Sequence, residues 1–195
     1  MANGVERFEL EGKIYLFNGI RWMESGTFAD PRPDIAKKLN AKIVKRWIAE
    51  NSERLFAFNS CNVGNNHDLA IQCADARLAI DENNFIALSV KIAATRDSFR
   101  ENQGCAPQLR EMTKEAERRL FGAKRSAGAD APRTSLASSY LDLAELYAEG
   151  PRKDMGTFRE YVGKAGKALA PVPDSHSEKK NVLRRLWAIK KKCGY

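Results

Sequence analysis

"HDLAIQCADARLAIDENNFIALSVKIAATRDSF", residues 67–99, reads as two helices joined at a corner. Asn66 or Asp68 offers an oxygen to the first unpaired backbone N–H groups, so either residue can open the first helix. Ala70, Ala74 and Leu78, with Ile71 beside them, recur at the spacing that aligns side chains on one helical face. The polar run Asp81-Glu82-Asn83-Asn84 ends that helix. Residues 85–100 form the next, closed by Asn102-Gln103-Gly104 before Pro107.

The same period continues on both sides. Upstream, Pro31 and Pro33 break the chain, Asp34 complements a helix N-terminus, and Ile35, Leu39, Ile43 and Trp47 mark an amphipathic helix. Ser52 is placed to cap another. Downstream, residues 109–124 carry an apolar stripe of Leu109, Met112, Ala116, Leu120 and Ala123. Residues 124–135, "KRSAGADAPRTS", have linker composition. Helices are then predicted over 136–149, over 157–169 and across the C-terminal segment, which Ser175-x-x-Glu178 opens as a capping box.

The start of the chain breaks this pattern. "KIYLFNGIRWME", residues 13–24, alternates around Asn18-Gly19, a pair that tolerates positive φ, and predicts a two-residue hairpin. Its alternation sets Ile14, Leu16, Ile20 and Trp22 on one face and Tyr15, Phe17 and Arg21 on the other. An isolated hairpin is marginal in water, so it is expected to lie on the first helices and to bury Trp22 or Phe28. The fold expected is mainly α, stacked antiparallel helical hairpins behind a short N-terminal β-hairpin. Its parts are residues 1–30 (hairpin), 31–175 (helical hairpins) and 176–195 (basic helix).

The net charge of +8 is unevenly spread. Residues 178–195 hold Lys179, Lys180, Arg184, Arg185, Lys190, Lys191 and Lys192 against one acid, Glu178, which leaves 26 basic and 24 acidic groups elsewhere. A polyanion partner would therefore be met by this segment and not by the whole surface. Its Val182, Leu186 and Ile189 share a face, so the same helix also reads as a terminal cap on the last helix pair.

Several residues resemble the tetratricopeptide repeat family. "AIQCADARLAIDENNFIAL" is similar to the second half of that repeat and its junction. In "YLDLAELYAEG", Tyr140, Leu143, Ala144 and Tyr147 fall at the bulky, Leu, small and Tyr positions of the family's first helix. Ala165, Ala168 and Pro173 resemble the small positions and terminating proline of its second. Ala70, Ala116 and Tyr161 take equivalent places, but at 46- and 45-residue separations, longer than the family's period of about 34. In the candidate first helix of the first repeat, residues 52–63, Phe58 or Asn59 stands where a small residue belongs. The resemblance, over roughly residues 52–173, implies a degenerate stack whose first helices line a binding surface. It would present Ser89, Arg96, Asp97, Leu141, Glu145 and Glu149. A shorter similarity, "YLFNGIRWMESGTFADPRPDIAKKL", looks like the start of the small domain ahead of viral and phage primase-helicase cores. No phosphate-binding Gly-x-x-x-x-Gly-Lys-Ser/Thr segment follows it, so nucleotide hydrolysis is not implied.

Catalytic chemistry is thinly represented. Cys61-x5-His67-x5-Cys73 has metal-ligand residue types but lacks a fourth ligand and short Cys pairs, and Cys73 lies on the alanine-rich helix face. His67 and His176 belong to no recognisable triad or nucleophile elbow. Neither an enzyme nor a metal or organic cofactor is expected. Four cysteines (Cys61, Cys73, Cys105, Cys193) without paired spacing, no charged-then-apolar leader and no membrane-length apolar run together predict a cytoplasmic protein. Its expected role is a non-catalytic adaptor or scaffold holding a protein partner on a helical surface, without membrane binding and with room for homodimers. The alternative is a nucleic-acid-binding accessory protein, of the kind phages and mobile elements carry, acting through residues 178–195.

Overall fold

A computed structural model describes residues 5–50, 66–122, 127–148 and 153–194. The described residues form a three-stranded antiparallel sheet and seven α-helices. The sheet comprises β1 (Glu6–Leu10), β2 (Lys13–Phe17) and β3 (Trp22–Glu24). The helices are α1 (Pro33–Ala49), α2 (His67–Ile80), α3 (Phe85–Glu101), α4 (Ala106–Gly122), α5 (Asp130–Ala148), α6 (Met155–Leu169) and α7 (Ser177–Lys192). The protein is thus mainly helical, and its chain divides within α3 into two compact units, Met1–Ala94 and Thr95–Tyr195. The candidate helix at 52–63, Ser52, Cys61, Ala123 and Glu149 lie outside the described residues.

The sheet corrects the expected hairpin in three ways. A further strand, β1, precedes it, and the two-residue turn is Glu11-Gly12, joining paired Leu10 and Lys13. Both turn residues have positive φ, 53° and 75°, as a primed hairpin turn demands. Phe17 pairs with Trp22, so Asn18–Arg21 make a four-residue connection instead of a two-residue one. There the Asn18 carboxamide oxygen accepts from the N–H groups of Ile20 (3.0 Å) and Arg21 (2.9 Å). Asn thus serves as a local acceptor, while Gly19 alone takes the positive φ, at 94°. Residues paired directly across a sheet share a face. Trp22 accordingly buries with Phe17 and Tyr15, while Ile14 and Leu16 stay half-buried. Phe28 is exposed.

That aromatic face lies on α1, whose buried stripe is Ile35, Leu39, Asn40, Ile43, Val44 and Trp47. Phe17 meets Trp22 at 4.9 Å and Trp47 at 6.0 Å between ring centroids. Leu69, Ala70 and Cys73 of α2, with Val90 and Ala94 of α3, complete the core of this unit. The buried polar groups of Trp22, Trp47 and Asn40 are matched. The Trp22 indole N–H donates to Asn40 Oδ1 at 2.8 Å, and the Trp47 indole N–H donates to Glu6 at 2.9 Å. The Asn40 amide in turn donates to Asp68 (2.9 Å) and Asn66 (3.2 Å). Asn66 caps α2 by accepting from Leu69 N–H at 3.3 Å, so one hydrogen-bonded chain ties β3, α1 and the start of α2.

The second unit is organised around α5. This helix packs against α4, α6 and α7 and is therefore buried on most sides, including Leu136, Ala137 and every residue from Ser139 to Ala144. Its neighbours need only one apolar stripe each. These are Leu109, Met112, Ala116 and Leu120 on α4, Phe158, Val162, Ala165 and Leu169 on α6, and Val182, Leu186 and Ile189 on α7. Ala144 and Ala165 have no exposed surface, while the rings of Tyr140 and Tyr147 each stack on Tyr161 at 6.0 Å. Small side chains permit close helix approach and large rings fill the groove beside them.

Two helix starts differ from expectation. The segment 124–135 is not a plain linker, since 127–129 form a 3-10 turn and α5 begins at Asp130. Pro132 is buried in the first turn of α5, where its missing N–H has no intrahelical acceptor to lose. The capping box at Ser175 does not form. α7 starts after His176, without a side-chain cap, and Lys179 secures the entry instead by donating to the Val172 carbonyl (2.5 Å) and Asp174 (2.8 Å).

Candidate functional site

α7 divides its basic residues between two jobs. Glu178 in the first turn and Lys190–Lys192 in the last complement the helix dipole at both ends. Val182, Leu186 and Ile189, at intervals of four and three, bury one face against α5 and α6. Arg185, at the edge of that face, donates to Asp142 and also to Glu145 at 2.7 Å. Burial opposes the charge of Arg185, but the Glu145 hydrogen bond and the Asp142 carboxylate outweigh it and raise its pKa. Lys179 is occupied at the helix entry. The terminal-cap reading and the basic-surface reading therefore belong to opposite faces of one helix.

The outer face carries Lys180, Arg184, Trp187, Ala188 and Lys191, all exposed, at spacings of four, three, one and three residues. Trp187 is 70% exposed, and the Lys190 ammonium stands 6.0 Å from its ring centroid. This stripe sets three exposed cations about one indole. Among the exposed residues of the helix the only acid is Glu178, in its first turn.

The residues expected to line a partner surface fall in different places. Ser89 is half-buried on α3 in the first unit. Leu141 is fully buried in α5 and presents no surface to a partner, because α5 is enclosed by three helices. Arg96, Asp97 and Glu145 do come together in the second unit, around a residue the sequence reading passed over, Asp142. Arg100 donates to Asp142 through Nε at 3.0 Å and Nη2 at 3.2 Å. Arg96 Nε lies 4.0 Å from the same carboxylate and 3.6 Å from Asp97. Burial, and then the neighbouring Arg100 charge, lowers the Arg96 pKa against the pull of Asp97 and Asp142. Asp142 was legible as an oddity, a single acid inside the apolar run "SLASSYLDLA".

Beside this cluster is a cleft of about 260 Å³ whose lining includes Phe99, Arg100, Asp142, Glu145, Leu146 and Arg185. Two guanidinium groups, Arg100 and Arg185, face two carboxylates, Asp142 and Glu145, there, so the cleft carries no net charge with which to draw an ionic ligand. Its geometry is that of an ion-pair network joining α3, α5 and α7.

His67 and Cys73 are both buried on α2 and Cys61 lies outside the described residues. Among the described residues no cluster of three or more His, Cys, Asp or Glu side chains is arranged to hold a metal ion. None of the described helices is long and apolar enough to cross a membrane. Comparison with protein-family models, curated protein sequences and solved structures finds no match for the chain.

Proposed function

We propose that the protein is a non-catalytic binding protein that holds another macromolecule on its helical surface, and that the macromolecule is a polyanion, a nucleic acid, met by the outer face of α7. The observation that carries this reading is the separation of roles on that helix. Its apolar face is consumed by the fold, while Lys180, Arg184 and Lys191 stand exposed around Trp187. Each lysine or arginine that neutralises a phosphate releases counterions and makes affinity fall with salt. The small-against-large packing of α5 on α6 supports the tetratricopeptide-like reading of the scaffold.

The test is binding of the full chain to labelled DNA and RNA at two salt concentrations, beside the variant K180E/R184E/K191E. All three positions are exposed, so the variant should stay folded, with the reversed charge at Lys191 in the last turn costing about 1 kcal/mol or less, yet lose the salt-sensitive binding. Deleting residues 178–195 is a poorer test, because it uncovers α5 and α6. Wild-type protein that binds no nucleic acid at low salt would remove the reading.

A protein partner is the second reading, and it is favoured by a different observation. Ile80 and Ile86, at the corner between α2 and α3, are 60% and 71% exposed. An adaptor contact there predicts that a partner recovered by crosslinking in the native host is lost with I80D/I86D and kept with the α7 variant.

A further inference from the structure

We propose that the outer face of α7 selects single-stranded nucleic acid, with Trp187 stacking on an unpaired base while Lys180, Arg184 and Lys191 contact the flanking phosphates. This rests on the polyanion reading of that face and sharpens it. The indole sits in the middle of the stripe, one turn beyond Arg184 and one turn before Lys191, so a backbone held by those cations passes over the ring. In a duplex the base faces are already stacked on one another, and a bulky indole at the centre of the helix face would have to part them at an unstacking cost. A single strand offers its base faces freely, and stacking on an aromatic side chain is tolerant of sequence.

A basic helix with a tryptophan also suggests an anionic membrane surface, but the apolar inventory argues otherwise. An interfacial helix needs a broad apolar face to bury among the lipids. Val182, Leu186 and Ile189 are buried in the protein, and Trp187 is the large apolar side chain that α7 leaves exposed. One ring suffices for stacking and does not suffice for insertion.

The three tryptophans make the test selective. Trp22 and Trp47 are 3% and 2% exposed, whereas Trp187 is open, so a change in indole emission on adding a ligand that touches the surface reports Trp187. The full chain is titrated with an oligothymidylate, with a duplex of equal length, and with vesicles of phosphatidylserine and phosphatidylcholine. The expected result is quenching by the single strand, at an affinity well above that for the duplex. W187A should lose about tenfold or more in single-strand affinity while W187F keeps most of it. K180A, R184A and K191A should each lower the salt slope by roughly 0.7. W187A binding the single strand as wild type does, or a duplex bound as tightly as the strand, overturns the stacking proposal and leaves the polyanion reading standing. Binding to no nucleic acid at low salt overturns both. Vesicle binding with a blue-shifted indole, in place of nucleic-acid binding, assigns the face to a membrane and overturns the proposal.

Discussion

Arg100 on α3 holds the buried carboxylate of Asp142 on α5 through two hydrogen bonds, at 3.0 and 3.2 Å. Arg185 of α7 reaches the same carboxylate from another side, which makes Asp142 the junction of three helices. Removing it takes the shared counter-charge from Arg96 and Arg185, which are mostly buried, and from Arg100, which is half exposed. D142A is expected to destabilise the second unit by about 3 kcal/mol or more. R185A leaves Asp142 with Arg100 and takes an ion-pair partner from Glu145, which is already exposed, so it should cost about 1 kcal/mol or less. Urea denaturation of the two variants, followed by circular dichroism, measures the difference. Equal losses would show that Asp142 is not the junction.

Asn40 plays the matching part in the first unit, where it accepts from the Trp22 indole and donates to Asn66 and Asp68. Leucine has a similar volume but cannot accept, which strands a buried N–H. N40L is therefore expected to cost about 1–3 kcal/mol. Combining it with W22F, which removes the donor, should cost less than the sum of the two single changes. A double-mutant cycle of denaturant midpoints checks this, and strict additivity would mean that the bond contributes nothing.

Gly12 has φ of 75°, and a Cβ placed there meets no atom within 4 Å. Any cost of G12A is then conformational and not steric crowding. The expected loss is about 1 kcal/mol, with the register of β1 on β2 preserved. Thermal melts measure the loss, and a neutral substitution would contradict the turn assignment.

Asp154 caps α6, accepting from the N–H groups of Gly156 (2.9 Å) and Thr157 (3.2 Å) and from the Thr157 hydroxyl (2.7 Å). The Thr157 hydroxyl, followed by its backbone N–H, holds the carboxyl below its ordinary value of 3.8. A pKa depressed in the folded state contributes stability that is present above the unfolded value and lost as pH falls through the folded one. D154N keeps the capping acceptor but has no proton to gain. Melting temperatures recorded from about pH 5 down to about pH 2 should therefore fall less steeply for D154N than for wild type. D154A should be lower at every pH. Parallel acid limbs for wild type and D154N would rule out Asp154 as a contributor.

The α1 stripe and the α4 stripe were legible because burial of a helix face leaves a mark at the helical period. Ile35, Leu39, Ile43 and Trp47, and then Leu109, Met112, Ala116 and Leu120, are all buried as that spacing requires. Glu11-Gly12 was missed because glutamate is not a usual residue for positive φ. Asn18-Gly19, the stronger local signal, formed a longer loop once Phe17 had to pair with Trp22. Within the candidate site, the basic segment and its apolar stripe could both be read. The fact that Arg185 belongs to the buried edge and Trp187 to the open one followed from the packing of α7.

The order of amino acids by itself determined that most of this chain is helical, which faces those helices bury, and where the excess positive charge lies, since each depends on neighbours within a turn or two. Only the tertiary structure decided that Asp142 joins three helices, that Leu141 is unavailable to a partner, and which cations of the last helix face water. Those outcomes rest on contacts between residues some 40 positions apart, and no local period records which distant group will fill a given vacancy in a core.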